Sequence, residues 1–435
     1  MDPGLSLEQA PPIDGPFRFF LTAPLFGVAA ALLLLASDGL LLSRWTPGML
    51  ALTHLLTLGV LGMVMFGALL QMLPVVAGSP VARPRLVAGL LHVLWSLGTA
   101  ALAFGLARSE PFALQLALPL LGAALLLLIV AAGRALLRAP RIHPTVRGML
   151  LALAGLSVAG VLGLLLLYGH AAPGVAPARA ALTDLHAVWG TLGWVLLLVV
   201  AVAFQVVPMF QMTPEYPRPL QRGLPPLLLA GLLLWSLAGP EWRLVPAVAV
   251  ALTVALFALA TLQLQRRRKR TTPDVTLLFW RTGMAALLLG VVLWGIAAVG
   301  PPLALHRIYP LLLGSLLLLG FGTSVVVGML YKIVPFLVWF HLQSRKIALG
   351  PEHAARRIPN MRQVIAPARA RRQFALHLLM LLLLPPALLA PQWLMPPFAL
   401  AMAASFGLLA LNLGAAARLY RRTAREMAPI TEGGD

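Results

Sequence analysis

The sequence predicts an all-α polytopic membrane protein of about twelve transmembrane helices, arranged as three parallel four-helix repeats with both termini in the cytoplasm. Three observations carry that expectation: the composition, the number of apolar runs, and a recurring proline ending. Hydrophobic residues fill 60% of the 435 positions and charged residues only 11%, whereas soluble domains carry charge on about a quarter of their residues. Runs of about 20 apolar residues, enough to cross a hydrocarbon core of roughly 30 Å, occur at 17–43, 48–74, 86–107, 111–133, 147–169, 184–210, 223–240, 245–264, 276–299, 308–340, 374–390 and 393–417. The endings "ALLQMLPVV", "VAFQVVPMF" and "LYKIVPFLV" align on Pro74, Pro208 and Pro335.

The elements follow in order. Residues 1–16, "MDPGLSLEQAPPIDGP", are proline-rich and acidic with no basic n-region, so they read as a cytoplasmic tail and not as a cleavable signal. Repeat 1 occupies 17–140 (helices 1–4) and repeat 2 occupies 141–270 (helices 5–8). Repeat 3 occupies 271–420 (helices 9–12, with a basic cytoplasmic loop at 341–373), and 421–435 form a second cytoplasmic tail. The aligned prolines are spaced by 134 and 127 residues (208 − 74 and 335 − 208). A second landmark, an arginine opening the helix before each ending, gives Arg18, Arg147 and Arg281, spaced by 129 and 134 (147 − 18 and 281 − 147). A glycine follows eight or nine residues after each: Gly27, Gly155 and Gly290. Two landmarks with nearly one period signal an internal repeat. Four is an even number of helices, so all repeats enter the membrane in the same direction, related by an axis along the membrane normal.

The net charge of +20 is a topology signal. With the N-terminus inside, inner segments hold 27 of the 33 Lys and Arg residues, and the outer loops hold only Arg44, Arg108, Arg179, Arg243 and Arg307; Lys332 lies within a helix. Positive charge is retained on the cytoplasmic side, where it attracts anionic lipid headgroups. The "RRRKR" at 266–270 is a juxtamembrane cluster of this kind, which argues against a nucleic-acid partner. With no cysteine in the chain, disulfides, thiolate metal sites, iron–sulfur clusters and covalent c-type haem are excluded.

From His54 to Pro74 is twenty residues, about 30 Å of helix, so the proline lies near the inner interface and the histidine near the outer one. A proline there frees a backbone carbonyl, which the amide of Gln71 or Gln205 is placed to satisfy. Lys332 puts a cation at the same position, favourable at a helix C-terminal end. These endings read first as a repeated helix-terminating device, and alternatively as polar groups lining an inner proton path.

Nine histidines occur. His143, His341 and His353 fall at cytoplasmic loops and His170 in an outer loop, where solvation accounts for them. His54 and His186 lie 20 and 22 residues before their aligned prolines, at nearly one depth; His306 lies 29 residues before Pro335, about 44 Å along a helix and so at the outer surface. His92 and His377 form an inner layer in helices 3 and 11, more readily explained as interhelical hydrogen bonds. An imidazole within a membrane helix needs a partner, and two on facing helices at one depth form the geometry that holds b-type haem or a soft metal. Nearby glycines, including Gly59, Gly62, Gly67, Gly190, Gly193, Gly314, Gly320 and Gly322, allow close approach of another helix or a flat ring.

Twelve helices, a parallel threefold arrangement and histidines at the outer ends of helices 2, 6 and 10 resemble subunit I of the haem-copper oxidases. The segment "HLLTLGVLGMVMFGALLQMLPVVAG" is similar to that family's second helix, and "GPFRFFLTAPLFGVAAALL" with "FQVVPMF" is similar to the NnrS family, its haem- and copper-containing relatives tied to nitric oxide tolerance. The resemblance implies His54 as a haem ligand, His186 at the copper-ligand position and His306 as a displaced third ligand. The chain departs from the oxidases where the chemistry lies: His186 is followed by "AVWG", helix 7 ("LPPLLLAGLLLWSLAG") lacks the paired histidines, and helix 10 lacks its closely spaced pair. It also departs from NnrS proteins, whose second histidine and glutamate in helix 2 are replaced in "THLLTLG".

The expectation is therefore a divergent haem-copper oxidase-like protein of a bacterial-type inner membrane. It binds haem b, with copper as a further cofactor, through His54, His186 and His306. Electron transfer, nitric-oxide response or metal handling, with a redox or assembly partner, are its expected roles in place of terminal oxygen reduction. The alternatives are a permease for a metal, proton or small solute, and a haem-free scaffold of the same fold.

Overall fold

The computed structural model describes residues 12–37, 39–140, 142–172, 179–350 and 357–427. His353 and most of the two tails (1–11 and 428–435) lie outside the described residues. Among the described residues twelve helices are long and apolar enough to cross a membrane. They are α1 Asp14–Ala36, α2 Pro47–Val76, α3 Pro84–Arg108, α4 Pro111–Leu137, α5 Pro144–Ala171, α6 Ala180–Gln211, α7 Arg218–Leu237, α8 Leu244–Arg266, α9 Val275–Val299, α10 Ile308–Ala348, α11 Pro367–Leu389 and α12 Pro391–Glu426. Each matches one run expected from sequence. The apolar length that satisfies a bilayer is a local property and survives folding unchanged.

Local chemistry starts these helices. Proline stands in the first turn of α2, α3, α4, α5, α11 and α12, where its fixed φ fits the helix and its missing N–H removes a donor that lacks a partner there. Thr46 caps α2 by accepting from the Met49 N–H at 3.2 Å, and Asp274 caps α9 by accepting from Leu277 N–H at 3.0 Å.

Every fourth helix from α2 is central. The apolar windows of α2, α6 and α10 are 67%, 72% and 61% buried, against 28–44% for the other nine. Those nine pack largely in chain order, with α1 against α12 closing the ring. Leucines such as Leu126, Leu165 and Leu382 stand exposed on the outside, a large apolar surface that requires a lipid environment.

The three central helices share a device that sequence periodicity did not reveal. Each contains an eight-residue π-helical stretch, at Leu55–Gly62, Trp189–Leu196 and Leu316–Thr323. Each stretch starts 19 residues before the helix's aligned proline (74 − 55, 208 − 189, 335 − 316) and carries a glycine at its fifth position: Gly59, Gly193 and Gly320. The glycines admit the neighbouring helix. A Cβ on Gly59 would stand 2.5 Å from Phe26 of α1, and one on Gly320 would stand 2.7 Å from Ala286 of α9. On the facing side of α5, a Cβ at Gly155 would stand 2.0 Å from the Gly193 carbonyl oxygen. These glycines therefore serve helix packing and not a flat ligand.

The proline endings differ from expectation. α2 runs to Val76 and α6 to Gln211, within one turn of Pro74 and Pro208, but α10 runs on to Ala348, well beyond Pro335. Proline removes a donor without preventing the helix from continuing when packing holds it. The amides do not satisfy the freed carbonyls: Gln71 is buried with its Oε1 unpartnered, and neither Gln71 nor Gln205 donates to one among the described residues. Lys332 instead reaches Asp274 at 2.7 Å, joining the start of α9 to α10 beside Arg270, which lies 3.7 Å from the same carboxylate.

Candidate metal centre between α2 and α6

His54 of α2 and His186 of α6 lie beside one another. Their rings lie nearly parallel, 19° apart, with centres separated by 6.1 Å. Each ring is anchored through Nδ1, His54 to the Leu50 carbonyl of its own helix at 2.8 Å and His186 to the Ala159 carbonyl of α5 at 2.9 Å. A carbonyl only accepts, so Nδ1 carries the proton in both rings and the Nε2 lone pair is left as the donor to a ligand. Anchoring one imidazole nitrogen on a backbone carbonyl is how proteins orient a histidine that holds a metal with the other.

The helical register explains why these two meet. His54 stands 20 residues before Pro74 and His186 stands 22 before Pro208; two residues of offset turn a side chain by about 200° around the helix. Their similar depth reads in sequence as repeat equivalence; in the proline register they are offset by two residues, and both rings border one cavity.

That interface is a cavity of about 360 Å³ between α2, α3, α4, α5 and α6. Its walls are chiefly leucine, with Trp95 and Trp45, and its polar groups include His54, His186, Thr183 and His170. Trp95 donates its indole N–H to the Leu58 carbonyl at 2.9 Å, inside the π-helical stretch. Gly163 makes room for the ring of His186: a Cβ there would stand 2.7 Å from its Cε1. At one end Arg44 pairs with Asp184 at 2.6 Å and lies over the Trp45 ring at 4.3 Å, tying the lead-in of α2 to the first turns of α6.

A second cavity, of about 180 Å³, lies among α6, α7, α8, α9 and α10. Adding the proline spacings carries His54 to Val188 (54 + 134) and His186 to Leu313 (186 + 127), and both residues line it. At the two positions reached by the proline spacings this cavity carries aliphatic side chains, where the first cavity carries two imidazoles. A central space of about 70 Å³ among α2, α6 and α10 is lined by Val, Leu, Met, Ala and Ile with Trp280, and no His, Asp or Glu lines it.

The other expected site residues lie elsewhere. His306 is exposed and accepts the Ile308 N–H at 3.3 Å as α10 begins, outside the cavity lining. His92 meets Thr22 at 2.9 Å; the threonine hydroxyl already donates to the Arg18 carbonyl at 2.8 Å, so His92 Nε2 is the donor. His377 meets Ser324 at 2.8 Å in a buried contact. Phe19 and Phe279 pack on these two rings at 5.2 and 5.1 Å, and both histidines act as interhelical hydrogen bonds. Gln71, Gln205 and Lys332 are outside the cavity lining.

Sequence reasoning placed His170 in a solvated loop, but it belongs to the last turn of α5 and lines the cavity. Its signal was present: Ala159, Gly163 and His170 are spaced by four and seven residues, which is one helix face. The Arg44–Asp184 pair was also missed, because its members are 140 residues apart.

The residues present fit a haem iron or a bare transition-metal ion. The ring centres lie 6.1 Å apart beside one cavity, a spacing at which two imidazole nitrogens can share one metal at about 2.0 Å each, and the leucine walls suit an apolar macrocycle edge. Among the described residues no three His, Cys, Asp or Glu side chains converge on a metal position. Fold and cavity together define a class: a twelve-helix polytopic membrane protein with a two-histidine cavity between its central helices. No protein-family model matches the chain, and no curated protein matches it either.

Proposed function

We propose that the chain is a divergent relative of haem-copper oxidase subunit I whose metal centre, haem b iron or copper, is held by His54 and His186. Its role is electron transfer, nitric-oxide response or metal handling and not oxygen reduction. One observation carries the reading: two near-parallel imidazoles 6.1 Å apart, each anchored by Nδ1 on a carbonyl, face one apolar cavity. When bound, the group supplies one-electron redox chemistry. The residues of the chain hold it, with Leu50 and Ala159 carbonyls orienting the ligating rings and the leucine walls keeping water from the centre.

The reading includes three parallel repeats, supported by the shared register of proline, π-helical stretch and glycine in α2, α6 and α10. It also places both termini in the cytoplasm of a bacterial-type inner membrane, supported by the skew of Lys and Arg.

The test is the optical spectrum and metal content of the purified chain. Haem gives a Soret band with sharp α bands on reduction, and copper gives a stoichiometric metal analysis; His54→Ala and His186→Ala each abolish the signal. A colourless preparation that takes up neither group on reconstitution ends the proposal.

A further inference from the structure

From the same cavity we infer that the occupant of the His54–His186 pair is a bare monovalent copper ion, Cu(I), and that it arrives by way of His170; this rests on the two-imidazole reading above. Three observations point to it. First, the donors are two neutral nitrogens in apolar surroundings, with no carboxylate or thiolate among the residues that line the cavity. The charging cost of burying an ion rises with the square of its charge, so a monovalent ion costs about a quarter of what a divalent one does. Neutral imidazoles leave that charge uncompensated, and imidazole is a ligand type that copper accepts. Second, the two rings border one cavity with their centres only 6.1 Å apart, close enough for a single small ion to be shared between them.

Third, His170 stands in the same cavity seven residues beyond Gly163, which abuts the His186 ring. Seven residues are about 10 Å of helix, too far for His170 to share the ion held by the pair in this arrangement. It is one step outward along the same wall of α5, toward the end where Thr183, Trp45 and the Arg44–Asp184 pair lie. That is the position of a staging ligand. It takes an ion from the aqueous end and passes it inward by ligand exchange, with no change in oxidation state. Arg44 at this end is already paired with Asp184 at 2.6 Å, so its charge is committed there and not to an anionic group of a macrocycle.

The experiment loads the full chain, in detergent and without oxygen, with Cu(I) supplied by a bicinchoninate buffer. Stoichiometry, X-ray absorption and the rate of uptake are recorded for the wild type and for variants. One Cu(I) per chain with two nitrogen ligands is expected, and His54→Leu or His186→Leu abolishes it. His170→Leu retains the stoichiometry and the two-nitrogen spectrum but slows uptake severalfold. His170→Gln, which keeps size and polarity, slows it equally, and an unchanged size-exclusion profile shows both variants folded. Uptake at the wild-type rate in both His170 variants overturns the route. A haem in place of the ion overturns this inference while leaving the paired-histidine reading intact; no uptake of either group overturns both.

Discussion

At the scale of single residues, the candidate centre depends on small side chains as much as on histidines. Gly163 lies against the His186 ring, and Gly163→Ala would drive a Cβ to 2.7 Å from Cε1. The ring must turn, and its Nδ1 bond to the Ala159 carbonyl is lost. Metal affinity should fall about tenfold or more, measured by competition against a chelator of known affinity. Gly122→Ala on α4, whose nearest neighbours are 3.8 Å from the added Cβ, should leave affinity unchanged. Equal losses in the two variants would show that His186 is not held as described. The histidines were individually legible in the sequence, since an imidazole in an apolar run stands out. Their hydrogen bonds were not, because the Ala159 carbonyl and the Thr22 and Ser324 hydroxyls belong to other helices.

At the scale of elements, the π-helical stretches set the rotation of everything that precedes them in the central helices. Deleting Thr57 removes a residue from the π-helical stretch Leu55–Gly62 and changes the rotation of His54 relative to Pro74. The helix should persist, with helical content by circular dichroism unchanged, while metal uptake disappears. Retained uptake would show that the rotation of α2 does not matter. A second element is the start of α9, where Asp274 both caps the helix and holds Lys332 at 2.7 Å. Asp274→Ala should lower stability by about 1 kcal/mol for the cap, and further because Lys332 loses its partner; thermal unfolding in detergent measures the sum. Asp274→Asn keeps the cap oxygen and should recover the first part only. Of these features, the proline register was readable from sequence. The π-helical stretches were not, since their mark in sequence is a glycine 15 residues before the proline, hidden among many other membrane glycines.

At the scale of the whole molecule, the cysteine-free chain is a ready background for mapping topology. Ser109 follows α3 and Thr271 follows α8, both exposed. Ser109→Cys should react with an impermeant maleimide in intact cells, and Thr271→Cys only after permeabilisation; the reverse pattern would invert the proposed orientation. The two interhelical cavities give a further comparison, because under the proposed repeat the proline register assigns Val188 and Leu313 in one to the places of His54 and His186 in the other. Val188→His together with Leu313→His should create a second metal site, raising the metal content toward two per chain. A content that stays at one would show that the second cavity lacks the geometry of the first.

The sequence by itself determined the number of spans, their order and the shared register of the three central helices. Hydrocarbon thickness and the α-helical rise act on contiguous residues and need no knowledge of the fold. Tertiary structure decided which histidines share a space. His54 and His186 meet because a two-residue offset turns them onto opposite faces of neighbouring helices, while His170 joins them and His306 does not. A side chain's direction depends on how each helix is rotated about its own axis, and that rotation is set by packing against residues far away in the chain.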